Sequence, residues 1–186
     1  SRDQANFAWS RREQLGEKIL DNPYLLYELT RKEKETIQIS ISQIDNAMFV
    51  NPLVDNKYPL KKPSKMRTAG DKRRFRAMVT YVLSIALNSG HTLLTFERII
   101  EEINDLPLDQ KTDFELEKIQ ALLDFLEEGD LYVDRENGYI KLVEYEDYKN
   151  LIVNVIDSGL NKDYPIKEDW RGIIDNKFGP IKKGIE

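Results

Sequence analysis

The chain has 186 residues, 40% of them hydrophobic, with 33 acidic and 28 basic side chains for a net charge of −5. That length holds one ordinary domain or two small ones around a real core, beneath a heavily solvated surface. Cysteine is absent, which excludes a disulfide framework and a thiolate metal site.

No apolar run approaches a membrane span, and the first fifteen residues lack a signal-peptide core. The expectation is a soluble, cytoplasmic protein with no membrane partner. The charge is unevenly spread. Residues 57–76 hold nine Lys or Arg and one acid, a net +8, so the remainder carries −13. A focused basic stretch on an acidic chain is the footprint of a polyanion, or else a solvated face or an internal partner for acidic helices.

In chain order, Phe7, Leu15 and Ile19 recur near helical spacing and predict one amphipathic helix over residues 3–20. Pro23 breaks it and starts a second helix through Tyr24, Leu25, Leu26 and Tyr27, with Asn22 as its cap. Residues 30–36 read as a charged loop. Ile37, Ile39 and Ile41 alternate with polar residues, predicting a short strand or extended segment. Ser42 and Asp45 stand at capping-box spacing for a short helix through Met48 and Phe49. Pro52, Pro59 and Pro63 make the next stretch an extended linker.

A strong helix begins at Asp71, its carboxylate capping the first turn and Phe75, Met78, Val79, Val82, Leu83 and Ala86 forming one apolar face. Gly90 ends it, and residues 91–94 are extended. Thr95 caps a second helix with Phe96, Ile99, Ile100 and Ile103 inward. A third runs from Asp113 to Glu128 on Phe114, Leu116, Ile119, Leu122, Leu123 and Leu126. Residues 131–133 and 139–143 alternate as strands around Asn137-Gly138, a strong hairpin pair. Another helix, Glu146 to Ser158, carries Tyr148, Leu151, Ile152 and Val155 on one face, and a short one is expected near Trp170.

The order helix, short strand, helix, helix, hairpin is that of a winged helix. The expected fold is mainly α with a small β-hairpin wing (α+β). A helical N-terminal region spans residues 1–60, the winged-helix domain with its basic lead-in spans 61–143, and a helical connector spans 144–186.

Motifs for catalysis are missing: no phosphate-cradling G-x-x-x-x-G-K-[ST], no G-x-G-x-x-G and no G-x-S-x-G. The single histidine, His91, sits at a helix end without an evident carboxylate partner and reads as structural rather than as a base or metal ligand. The expectation is a non-enzyme with no cofactor or metal of its own. Base reading through the third helix is disfavoured, because it carries Asp113, Glu115, Glu117, Asp124, Glu127 and Glu128 against Lys118. The wing adds only Arg135 and Lys141 among Asp134 and Glu136. The candidate phosphate-contacting residues are Lys61, Lys62, Lys65, Arg67, Lys72, Arg73, Arg74 and Arg76.

Several short motifs, in order, resemble the non-motor N-terminal region of RecD-like ATP-dependent DNA helicases, the exodeoxyribonuclease V alpha-subunit homologues. They are Asn22-Pro23-Tyr24-Leu25 with Tyr27; Asp45 with Met48-Phe49; Asp71, Arg73, Arg74, Arg76 and Ala77; Gly90-His91-Thr92; Glu128 to Leu131; and Asp169-Trp170. The resemblance covers roughly residues 20–175. It implies an N-terminal piece of a longer helicase or exonuclease of DNA repair and recombination, with ATP and Mg belonging to the parent alone. The implied partners are the helicase core of the same parent chain, DNA bound non-specifically as single strand or junction, and further protein subunits. The sequence departs from the pattern in lacking a glycine-rich helix-hairpin-helix. The other expectation is a protein-interaction scaffold with no nucleic-acid role.

Overall fold

Two short helices open the chain, α1 (Arg2–Ser10) and α2 (Arg12–Asp21). Ser1 and Gln4 form a capping box on α1. The single helix expected over 3–20 is interrupted at Arg11 and bent again at Gly16, where the backbone leaves helical angles. The computed structural model describes residues 1–60, 62–160, 169, 172, 173, 176 and 177; the helix expected near Trp170 lies outside them.

The Asn22 Oδ1 accepts from the Tyr24 N–H in a turn at Pro23 and Tyr24, and α3 (Leu25–Thr30) starts two residues later than expected, with Tyr24 and not Asn22 at its N-cap. Of the strand or extended segment expected at Ile37–Ile41, no strand forms, and Ser40 is extended. Thr30 Oγ1 donates to the Leu26 carbonyl and accepts the Ile39 N–H, so the segment folds back on α3 instead of pairing in a sheet. Ile41 then opens α4 (Ile41–Met48), and the capping box is Ser40 with Gln43, two residues earlier than the Ser42 spacing suggested. Asn51 caps α5 (Pro52–Lys57), so the linker expected there starts as a helix. Pro52 takes its first position, where a missing N–H costs nothing.

Helix α6 (Lys72–Asn88) is capped by Asp71. It ends with Gly90 at φ 85°, where the Gly90 and His91 N–H groups return to the Leu87 and Ala86 carbonyls. Strand β1 (Leu94–Thr95) leads into α7 (Phe96–Asn104), capped by Thr95 as expected. Helix α8 (Leu116–Glu127) starts three residues later than its periodicity suggested. The Asn104 side chain occupies both the N–H and the carbonyl of Phe114, each at 2.9 Å, which keeps that residue out of the helix.

The hairpin is β2 (Leu131–Asp134) and β3 (Tyr139–Leu142). Its turn places Gly138 at φ 68° and is tied by Asp134, whose Oδ1 accepts the Asn137 N–H. The three strands form one antiparallel sheet in the order β1-β3-β2, with Ile140 opposite both Leu94 and Val133. The expected succession from Asp71 to the hairpin is therefore present, and the architecture is α+β.

Two compact units result, Ser1–Asp147 and Tyr148–Glu186. The boundary expected at residue 60 falls inside the first. Tyr24, Tyr27, Ile41 and Ile44 belong to the same buried cluster as Phe75, Val79, Ile99, Ile119 and Ile140. The last helix, α9 (Val143–Leu160), is longer than expected at both ends, and its Tyr148, Leu151, Ile152 and Val155 are exposed. Among the described residues, no helix is long and apolar enough to cross a membrane.

Candidate nucleic-acid interface

The basic stretch is built around the first turn of α6. Successive helical residues are rotated by about 100°, so Arg73, Arg74 and Arg76 leave the helix in different directions. Each meets a carboxylate from a different place. Arg73 grips its own cap, Asp71, through Nε at 2.9 Å and Nη2 at 2.8 Å. Its Nη1 also donates to the carbonyls of Asp21 and Pro63.

Arg74 is completely buried. Its Nε and Nη2 fork onto Asp45, at 3.0 and 2.7 Å, and it donates further to the carbonyls of Ala69 and Gln110. Asp45 also accepts from the Tyr24 hydroxyl. Burial first, and that hydrogen bond second, push the Tyr24 phenol well above its usual range. Arg76 pairs with Glu28 through Nε at 3.0 Å and Nη2 at 3.2 Å, and its guanidinium lies 4.6 Å from the Phe125 ring centre. Burial pushes the Glu28 carboxyl above its usual range, against the pull of Arg76.

The expectation that these three arginines contact phosphate is therefore corrected. Arg74 and Arg76 are buried and paired, and Arg73 is largely covered and spent on Asp71 and two carbonyls. They pair with the carboxylates of Asp71, Asp45 and Glu28, and Arg76 meets α8 through the Phe125 ring and carbonyl and not through its acids.

The other candidates sit differently. Lys62 and Arg67 are exposed, without an ion-pair partner among the described residues. Lys65 is exposed and bonds Asp55 at 3.1 Å. Lys72 is exposed with Nζ 4.3 Å from the Phe125 ring centre. Lys61 lies outside the described residues. The stretch carrying these residues is pinned, not a loose linker. The carbonyls of Pro63, Ala69 and Gly70 accept from Arg73, Arg74 and Lys118, Ser64 Oγ donates to the Leu20 carbonyl, and Met66 is buried.

The opposite charge dominates elsewhere. Residues 95–147 contain 17 acids and five bases, and every one of those bases is engaged. Arg98 bonds Glu101 and Glu102, Arg135 bonds Asp124 and Glu127, and Lys141 bonds Glu146. Lys111 and Lys118 donate to the carbonyls of Leu106 and Gly70. The imidazole of His91 is exposed, and it is the residue's backbone N–H that closes α6. Among the described residues, no group of three His, Asp or Glu side chains is placed to hold a metal ion.

Sequence reasoning missed Glu28 and Asp45 as partners of the arginines. A usable sign existed: Asp45 follows Ile44 and stands four residues after Ile41, on the apolar side of its helix. An acid in that position implies a buried cation.

Burial alone would raise the Asp71 carboxyl, but the hydrogen bonds and charge of Arg73 outweigh it and hold the group below its usual range. Glu144 behaves likewise, with Lys32 and Arg31 outweighing burial. Carboxyls depressed in the folded state contribute stability that is present above the unfolded-state value of about 4 and lost as pH falls through the depressed value. Urea-unfolding midpoints taken across pH are therefore expected to fall below about pH 4, less steeply in Asp71→Asn. An identical slope in that variant would refute the assignment.

Comparison of the chain with protein-family models, with curated proteins and with solved structures yields no match.

Proposed function

We propose that the chain is a winged-helix accessory module, without catalysis of its own, of a DNA-processing helicase or exonuclease. It packs on the motor of the parent protein, which supplies ATP and Mg, and contacts DNA phosphates non-specifically, as single strand or junction. The observation that carries this reading is that Lys62, Lys65, Arg67 and Lys72 stay exposed on a pinned backbone. Cations whose backbone is already fixed lose less entropy on meeting a phosphate chain than those of a loose tail. The acidic 95–147 segment turns DNA away from the third helix and wing, so contact falls to the lead-in alone.

The test is fluorescence anisotropy of labelled single-stranded and duplex DNA across a salt titration. The variant is a triple, Lys62→Ala, Arg67→Ala and Lys72→Ala, chosen because all three side chains are exposed. Each lost phosphate contact is expected to flatten the log–log salt slope by roughly 0.7 on single strands and 0.9 on duplex, with thermal unfolding unchanged. Absence of binding at low salt, or an unaltered slope in the triple variant, would sink the reading.

The second reading, a protein-docking scaffold with no nucleic-acid role, is favoured by the acidic 95–147 segment itself, in which every cation is engaged, Arg98, Arg135 and Lys141 by carboxylates and Lys111 and Lys118 by backbone carbonyls. It predicts no DNA binding at any salt.

A further inference from the structure

We propose that Tyr58, at the end of α5, is a stacking platform for an unpaired base, so that the basic lead-in takes single-stranded nucleic acid in preference to duplex. This deepens the DNA reading above and rests on it. Helix α5 buries none of its residues. Its large apolar side chains face solvent: Leu53 is 79% exposed, Val54 48% and Tyr58, the residue that caps it, 67%. A helix of six residues is too short to hold itself. It is anchored by the Asn51 cap and by the Lys65 ammonium on Asp55. Successive residues turn by about 100°, so Leu53, Val54 and Lys57 share one arc and Asp55 lies on the far side. The apolar arc and the ring beside it are therefore displayed, not used for the core.

Charge selects the occupant. Residues 51–70 carry Lys57, Lys61, Lys62, Lys65 and Arg67 against one acid, Asp55, and Lys65 occupies that acid. The Lys57 Nζ lies 5.3 Å from the centre of the Tyr58 ring. Lys62 follows four residues later, at most about 14 Å along the chain. The cations continue along the lead-in to Arg67 and Lys72, which suits a chain of phosphates better than a single anionic group.

A single strand matches both halves of this surface, since it presents flat base faces beside its phosphates. A duplex matches one half. Its base faces are stacked on each other, and it offers the patch phosphate alone. A base that settles on Tyr58 displaces water and one exposed ammonium. The hold of an ammonium on a solvated ring is weak beside a base–aromatic stack. The tyrosine ring has few rotamers to lose in the exchange.

The experiment titrates the whole chain, by fluorescence anisotropy, into three fluorescein-labelled ligands of about 12 nucleotides. They are oligothymidylate, an abasic strand with the same phosphates, and a duplex. Oligothymidylate is expected to bind most tightly, about tenfold above the abasic strand. In Tyr58→Ala its affinity should fall about tenfold, while abasic and duplex binding stay as they were. The salt slope should not change, because no phosphate contact is lost. Tyr58→Phe keeps the ring and should bind like the unaltered chain. Both variants should melt normally, since the side chain is exposed. The two possible failures read differently. Equal affinity for the abasic strand, unchanged oligothymidylate binding in Tyr58→Ala, or an equal loss of duplex binding in that variant would overturn the stacking role and leave the phosphate contacts standing. No binding of any of the three ligands at low salt would overturn both.

Discussion

Replacing Arg74 with alanine is expected to cost roughly 3–5 kcal/mol of stability. Arg74 is fully buried and Asp45 nearly so, and the guanidinium supplies most of what the carboxylate is bonded to. Without it, Asp45 keeps only the Tyr24 hydroxyl as a side-chain donor among the described residues, and the carbonyls of Ala69 and Gln110 lose the guanidinium. The cost comes less from losing an attraction than from stranding a charge away from water. Asp45→Ala should be similarly damaging, because it strands the guanidinium. The pair Arg74→Met with Asp45→Leu should cost clearly less than the two single changes added together, since neither charge is then left alone. Urea unfolding followed by circular dichroism measures all of these. A loss under about 1 kcal/mol in Arg74→Ala would mean that the side chain is not held as described.

Phe75→Ala is expected to cost about as much, roughly 3–5 kcal/mol. The ring is fully buried and lies 4.8 Å from that of Phe114, tilted by 52°. What sets the size of the effect is whether the neighbours can close the hole. Phe114 cannot slide readily, because Asn104 holds its backbone at both the N–H and the carbonyl. Helix α6 cannot move without disturbing three arginine clusters in its first turn. A rigid wall leaves a cavity, and the cavity adds to the lost transfer energy. A fall in melting temperature on the order of 10 °C is expected, with a milder fall for Phe75→Leu. An unchanged melting temperature would contradict the packing.

What could be read from the sequence was whatever one segment decides for itself. The apolar face of α6, the caps Asp71 and Thr95, and the Asn137-Gly138 turn depend on residues a few positions apart, and all are present. The misread strand at Ile37–Ile41 shows the limit. Its alternation was real, but the Ile39 N–H was claimed by Thr30, which no pattern inside the strand reveals. The capping box shows another: two serines two residues apart offered equal chemistry, and only Gln43 opposite Ser40 decided between them.

The basic stretch shows the same limit on a larger scale. Counting charge along residues 57–76 treats every cation as solvent-facing, whereas Arg74 and Arg76 answer acids 29 and 48 residues away. Net charge by window shows where cations are, and only the fold shows which are already spent. Of the candidate phosphate contacts, Lys62, Arg67 and Lys72 stay exposed without an ion pair among the described residues and Lys65 is exposed but paired with Asp55, which is fewer than the count along the sequence suggests.

The spans of those contacts also bear on how the chain folds. One turn of α6 reaches back 52 residues to Asp21, 29 to Asp45 and 48 to Glu28, and forward 36 to Gln110 and 49 to Phe125. Each is a large loop to close, and none is rewarded until both ends arrive. Until residues 21–45 are in place, two cations have nowhere to go but water, and the apolar residues between them cannot be sealed. The N-terminal helices, the lead-in and the three-helix core are thus expected to order in one cooperative step. A nascent chain is expected to leave this core incomplete until the hairpin, through Leu142, has joined it.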